Sequence, residues 1–175
     1  MRLEDHIRTI PDFPQPGIMF RDVTTLFLNA EAFAASIEQL AARIEPHKVD
    51  LVAGIEARGF VLGGALATRL NAGFVPLRKK GKLPGRTLEE AYALEYGQAV
   101  IEVHDDAAGD GHRVAVIDDL IATGGTGLAG MSLIRRLGAE PVVFGALVDL
   151  PDLGGSAKLA EAGAPVECLM TFPGH

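Results

Sequence analysis

The chain has 175 residues, 48% of them hydrophobic, which is enough to bury a core on both faces of one sheet within a single domain. A formal charge of −7 and a pI near 5.2 exclude general nucleic-acid affinity, which needs a basic surface to neutralise phosphates, and direct attention to a small-molecule partner. No stretch reaches the roughly 18 apolar residues of a membrane span, residues 1–10 mix acids and bases, and Cys168 is the only cysteine, so the expectation is a cytoplasmic protein with a buried thiol and no disulfide.

Residues 31–45 place Phe33, Ile37, Leu40, Ala41 and Ile44 on one stripe, with Glu38 and Arg43 off it, which predicts an amphipathic helix stopped by Pro46. A short apolar run at 49–55 reads as a strand and is followed by Glu56, Ala57, Arg58 and Gly59. The alanine- and leucine-rich stretch 60–70 reads as helix, and 73–77 as the next strand. Residues 78–97, RKKGKLPGRTLEEAYALEYG, interrupt the alternation. Arg78, Lys79, Lys80, Lys82 and Arg86 concentrate positive charge there, and the glycines predict a mobile lid leaving directly from the strand end. His104, Asp105, Asp106, Asp110 and His112 flank AAGDG and fit a hydrated turn better than a metal cluster. A strand at 114–117, a helix at 128–137 closed by Gly138 and a strand at 142–148 complete the pattern. Strand, helix, strand repeated predicts an α/β fold: a mostly parallel sheet with helices on both faces and ligands beyond the carboxyl ends of its strands. Both EARG and DDLIATGGT fall at such ends.

The segment VAVIDDLIATGGT at 114–126 carries the most chemistry. Asp118 and Asp119 stand where a strand emerges, and ionised carboxylates are pure acceptors, suited to two sugar hydroxyls or a hydrated Mg²⁺. Past them Ala122, Thr123, Gly124, Gly125 and Thr126 can turn successive amides and two hydroxyls toward one anion, at the positive end of the following helix. A phosphorylated sugar satisfies both halves. A competitor exists, because Gly125, Gly127 and Gly130 spell GxGxxG and Asp149 follows about 20 residues later, as a dinucleotide fold requires. The intervening DDLIAT brings two negative charges where pyrophosphate would approach, so a nicotinamide-dependent dehydrogenase ranks behind.

The 114–126 segment resembles the 5-phosphoribosyl 1-pyrophosphate (PRPP) signature of the type I phosphoribosyltransferases, in which the acid pair holds the ribose diol and the TGGT-like loop the 5′-phosphate. Regulators share that signature, so a PRPP-binding regulator and other purine phosphoribosyltransferases remain alternatives. PDFPQPGIMFRDVTTL at 11–26, IEARGF at 55–60, and RKKGKLPG with YALEYG in the lid are similar to the adenine phosphoribosyltransferases, in the family's order. The resemblance implies the type I fold with a small N-terminal hood over 1–30 and a flexible lid at 78–97. It also implies conversion of adenine and PRPP to AMP and diphosphate, a requirement for Mg²⁺ held by PRPP and by Asp118 and Asp119 directly or through water, and a homodimer. Carried over by position, Phe20 stacks on the purine, the backbone of Met19 and Arg21 reads its edge, Glu95 handles the purine imidazole proton, and Tyr96 packs beside the ribose. Read from the residues alone, Phe20 serves equally well in a core, and only the family pattern separates Glu95 from Glu89 and Glu90.

Diphosphate leaving C1 of a ribose departs with several negative charges while the ring becomes cationic, so fixed cations must clamp the leaving group. Arg58, Arg78, Lys79 and Lys82 supply such a clamp, with Arg58 counted as catalytic, and a closing lid would keep water from the cationic ring.

Overall fold

The structure is a computed structural model that describes every residue except Glu95 and His175. A 3-10 turn at Leu3–His6 leads into a short antiparallel hairpin, β1 (Arg8–Pro11) and β2 (Met19–Asp22), followed by helices α1 (Thr24–Leu28) and α2 (Ala30–Ile44). Asn29 starts α2 as its cap, its side-chain oxygen accepting the Ala32 amide at 2.9 Å. The face that α2 buries is the expected one, with Ile37, Leu40, Ala41 and Ile44 turned inward.

The main sheet comprises β3 (Leu51–Ile55), β4 (Gly73–Lys79), β5 (Thr87–Ala93), β6 (Gln98–His104), β7 (Arg113–Ile117), the two-residue β8 (Leu120–Ile121), β9 (Glu140–Asp149) and β10 (Val166–Thr171). Helices α3 (Arg58–Arg69), α4 (Gly125–Arg136) and α5 (Gly155–Glu161) connect them. The strand order is β10, β9, β7, β3, β4, β6, β5, with β8 beside β9. Pairs from β10 to β4 are parallel; β4 with β6 and β6 with β5 are antiparallel. Strand periodicity explains the two cores. Ala115 and Ile117 of β7 pack with Leu40 and Leu62 on one face, whereas Val114 and Val116 pack with Met131, Ile134 and Leu159 on the other.

Residues 78–97 do not form one loop, which corrects the expected extent of the lid. Arg78 and Lys79 finish β4, and Thr87–Ala93 is a strand paired along its length with β6. Its period was masked because an inward position is acidic: Leu88, Glu90 and Tyr92 are half-buried, and Glu90 accepts from Ser132 Oγ at 2.9 Å and pairs with Arg136 at 3.1 Å on α4. Residues 80–86 form the loop proper, fastened at its root. The buried Glu102 accepts from the Leu83 amide at 2.9 Å and the Thr87 hydroxyl at 3.3 Å.

The 105–112 segment is a turn closed partly by His112, whose Nδ1 accepts the Gly109 amide at 3.0 Å. Among the described residues, no three His, Cys, Asp or Glu side chains are arranged to hold a metal ion, and no helix is long and apolar enough to cross a membrane.

Candidate active site

The backbone at the end of β7 is pinned on the β9 side. The Asp118 amide donates to the Gly145 carbonyl at 3.1 Å, and the Asp119 carbonyl accepts the amides of Leu147 and Val148, each at 3.1 Å. With the main chain fixed, the two carboxylates take defined positions. Asp118 Oδ1 accepts the Asp119 amide at 2.8 Å, and the buried Asp119 accepts Arg58 Nε at 2.5 Å. Arg58 is the first residue of α3, and the glycine after it permits the approach, since a Cβ at Gly59 would stand 2.9 Å from the Ile117 carbonyl oxygen. Burial, reinforced by the negative charge of Asp119, pushes the Asp118 carboxyl well above its ordinary range. Burial opposes the charge on Arg58, but Asp119 outweighs it and raises the guanidinium further. Asp22, at the end of β2, adds its field to the charges that hold Arg58 protonated.

Beyond Asp119, β8 leads into the turn at Ala122–Thr126. Gly124 has φ of +90°, a conformation that only glycine adopts without strain, and the 12-residue α4 begins at Gly125. The first amides of that helix lack partners within it and carry the positive end of its dipole. They border a hollow of about 100 Å³ lined by Asp118, the whole of 120–127, Phe144 and Leu159. A second hollow, of about 360 Å³, is lined by Glu56, Ala57, Arg58, Lys79, Tyr92, Asp118 and Asp119 among others. Asp118, Leu120 and Thr126 belong to both linings, so the acid pair stands at the mouth of an anion-sized cup.

The glycines of the competing dinucleotide reading have another use. A Cβ at Gly127 would lie 2.8 Å from the Phe144 ring, and one at Gly130 would lie 3.1 Å from Leu77, so both let α4 settle on the sheet. Asp149, the acid of that dinucleotide reading, is buried with Oδ1 unpaired.

Arg58 and Lys79 line one hollow together. Arg78 and Lys82 do not; the Arg78 Nε donates to Glu56 at 3.0 Å, which also accepts the Lys79 amide at 3.1 Å. Burial would raise the Glu56 carboxyl, but these two donors outweigh it and hold it below its ordinary value. Met19, Phe20 and Arg21 lie on β2, outside both linings. Phe20 packs edge-on against Phe13 with ring centroids 5.2 Å apart, and the Arg21 guanidinium lies 4.5 Å from the centre of the Phe172 ring. Tyr96 is 81% exposed, and Glu95 lies outside the described residues.

Sequence reasoning missed Tyr92, which lines the larger hollow, and the part Glu56 plays in holding the Lys79 backbone. The inward position of Tyr92 in a period-two strand was the available signal for the first, and the carboxylate two residues before Arg58 for the second.

Residues 24–163 match the Phosphoribosyl transferase domain family. The chain is similar to the adenine phosphoribosyltransferase of Dinoroseobacter shibae, at 58% identity over 98% of this chain and 96% of that one. The crystal structure of the adenine phosphoribosyltransferase from Thermoanaerobacter pseudethanolicus superposes with a TM-score of 0.93 at 47% identity, covering 98% of this chain and 100% of the other. That of Saccharomyces cerevisiae, complexed with D-2,5-dideoxy-2,5-imino-altritol 1,6-bisphosphate and adenine, gives 0.90 at 37% identity over 95% and 96% of the two chains.

Proposed function

The chain belongs to the phosphoribosyl transferase family as an adenine phosphoribosyltransferase, a salvage enzyme that turns adenine and PRPP into AMP and diphosphate, and on that premise we propose how its residues divide the work. Asp118 and Asp119 accept the ribose hydroxyls. The amides and hydroxyls of Ala122–Thr126 hold the 5′-phosphate, and Arg58 with Lys79 meets the diphosphate in the larger hollow. The observation that carries this reading is the shared wall: Asp118, Leu120 and Thr126 border both hollows, so one ligand with two phosphate ends and a diol between them spans the site. Arg78 acts through Glu56, which fixes the Lys79 backbone, and Lys82 approaches from the 80–86 loop.

As diphosphate leaves C1, negative charge grows at the Arg58 and Lys79 end while the ring becomes cationic above the two acids. Arg58 already spends Nε on Asp119, leaving its other N–H groups for the departing oxygens. Adenine is held by Phe20 with the backbone of Met19 and Arg21, Tyr96 packs beside the ribose, and Glu95 accepts the imidazole proton of the base. Two adjacent carboxylates, with no third acidic or imidazole ligand beside them among the described residues, suit a hydrated Mg²⁺ brought in on PRPP rather than a cage built by the chain. When bound, Mg²⁺ supplies charge neutralisation for the leaving diphosphate.

The enzyme is proposed to be a cytoplasmic homodimer. Val61 on α3 and Phe74 on β4 are 43% and 37% exposed, apolar surface available to a second copy, which sedimentation equilibrium would detect. Diphosphate release measured with adenine, guanine and hypoxanthine in turn tests the substrate. Turnover is expected with adenine, and its absence would overturn the reading.

A further inference from the structure

One contact at the anion cup is made of backbone on both sides. Gly155, the first residue of α5, lies directly behind the turn at Ala122–Gly124, and its amide donates to the Ala122 carbonyl at 3.1 Å. A Cβ built on Gly155 would lie 2.4 Å from the Ala122 carbonyl oxygen, 2.7 Å from the Gly124 nitrogen and 2.8 Å from the Thr123 carbonyl carbon. The relation is reciprocal: a Cβ on Gly124 would lie 2.9 Å from the Gly155 Cα. No side-chain rotation can relieve such overlaps, because every atom named is main chain. Either the turn moves or α5 does. Leu159, one turn along α5 and fully buried, lines the cup and meets the position a Cβ would take on Gly127, so the helix is seated against α4 as well.

We propose that Gly155 is a positioning residue for the 5′-phosphate: it fixes the turn from behind, so that the amides of Thr123–Thr126 converge on one point before any ligand arrives. The inference rests on the assignment of Ala122–Thr126 to that phosphate. Anion recognition by amides depends on several short, aligned bonds at once, and a shift of the turn by a fraction of an ångström weakens all of them together. Preorganisation of this kind places the effect on ligands carrying a 5′-phosphate and spares those that do not.

The test compares AMP, adenosine and diphosphate as ligands of the full-length enzyme by calorimetry, alongside melting temperature. Gly155→Ala is expected to weaken AMP at least tenfold and to raise KM for PRPP correspondingly, while adenosine and diphosphate change less than about twofold. A general loss of structure would instead weaken all three ligands alike. Should Gly155→Ala fold poorly, Leu159→Val loosens the seat of α5 without a clash and is expected to lower the ratio of AMP to adenosine affinity by a smaller factor. An unchanged ratio in a well-folded Gly155→Ala protein overturns the proposal, as does a parallel loss for all three ligands. A Thr123→Val, Thr126→Val variant separates the two levels of the argument. If it weakens AMP and Gly155→Ala does not, the brace alone is wrong; if neither weakens AMP, the phosphate assignment falls.

Discussion

Asp118 and Asp119 follow a strand in which Val114, Ala115, Val116 and Ile117 are completely buried, whereas the segments assigned to the base and its proton expose Met19 by 41%, Leu94 by 50% and Tyr96 by 81%. The sugar-phosphate half of the site is built from main chain anchored between parallel strands, with two core layers behind it. The segments proposed for the base are a two-stranded hairpin, joined to the rest by ties such as Asp22 with Thr24 and Arg21 with Phe172, and the end of β5. The difference separates two ways of making a site. One is rigid because moving it would open a close-packed core; the other stands on exposed segments with little core behind them. An enzyme that must expel water before a bond breaks needs both, a fixed grip on PRPP and a cover that arrives later.

The largest expected effect separates those halves. Glu95→Gln should lower kcat by about a hundredfold to ten-thousandfold while PRPP affinity stays within about twofold, because the proposed proton step concerns the base and not the grip on PRPP. Pre-steady-state turnover with parallel PRPP titration checks this, and equal losses in both would erase the division. Phe20→Ala should raise KM for adenine by about tenfold, on the order of the 1 to 3 kcal/mol of a base–aromatic stack, and leave PRPP binding unchanged. Steady-state kinetics with each substrate varied in turn would sharpen the boundary between hood and sheet.

The smallest effect concerns how the hood is fastened. Asp22 accepts from the Thr24 hydroxyl at 2.6 Å and pairs with Arg8 at 2.5 Å, joining the hairpin to α1. The Thr24 hydroxyl above all, with Arg8 assisting and burial opposing, lowers its carboxyl from 3.8 to about 2. A depressed carboxyl contributes stability that is present above 3.8 and is lost as the pH falls toward 2. Asp22→Asn should therefore cost roughly 1 to 2 kcal/mol at neutral pH, and the gap to wild type should close near pH 2 in denaturant melts. A gap independent of pH would mean that the hairpin is held by packing.

Much of the rigid half was legible in the sequence because burial on both faces forces continuous apolar runs. The strands expected at 73–77 and 142–148 are Gly73–Lys79 and Glu140–Asp149, and the helix expected at 31–45 is Ala30–Ile44. The helix expected at 60–70 starts earlier, at Arg58, because its first residue is spent on Asp119 rather than on the core. Elements at the sheet's edges were harder to read. In β10, Glu167, Cys168 and Thr171 interrupt the apolar pattern of a strand paired on one side only, and in β5 an inward glutamate satisfied by Ser132 and Arg136 breaks the alternation. The anion turn was legible from glycine and hydroxyl spacing. Its brace was not, since Gly155 lies 30 residues beyond Gly125 and nothing local marks it as a partner.

The central claim is that the acid pair and the amide-lined turn hold two parts of one ligand. Titration of PRPP into the Asp118→Asn, Asp119→Asn enzyme measures it most directly, with melting temperature recorded on the same sample. Loss of at least a hundredfold in affinity, about 3 kcal/mol, in a protein that stays folded is the expected result if the acid pair accepts charge-assisted bonds from the ribose or its hydrated metal, as proposed. PRPP binding that survives undiminished in the folded double variant would contradict the account.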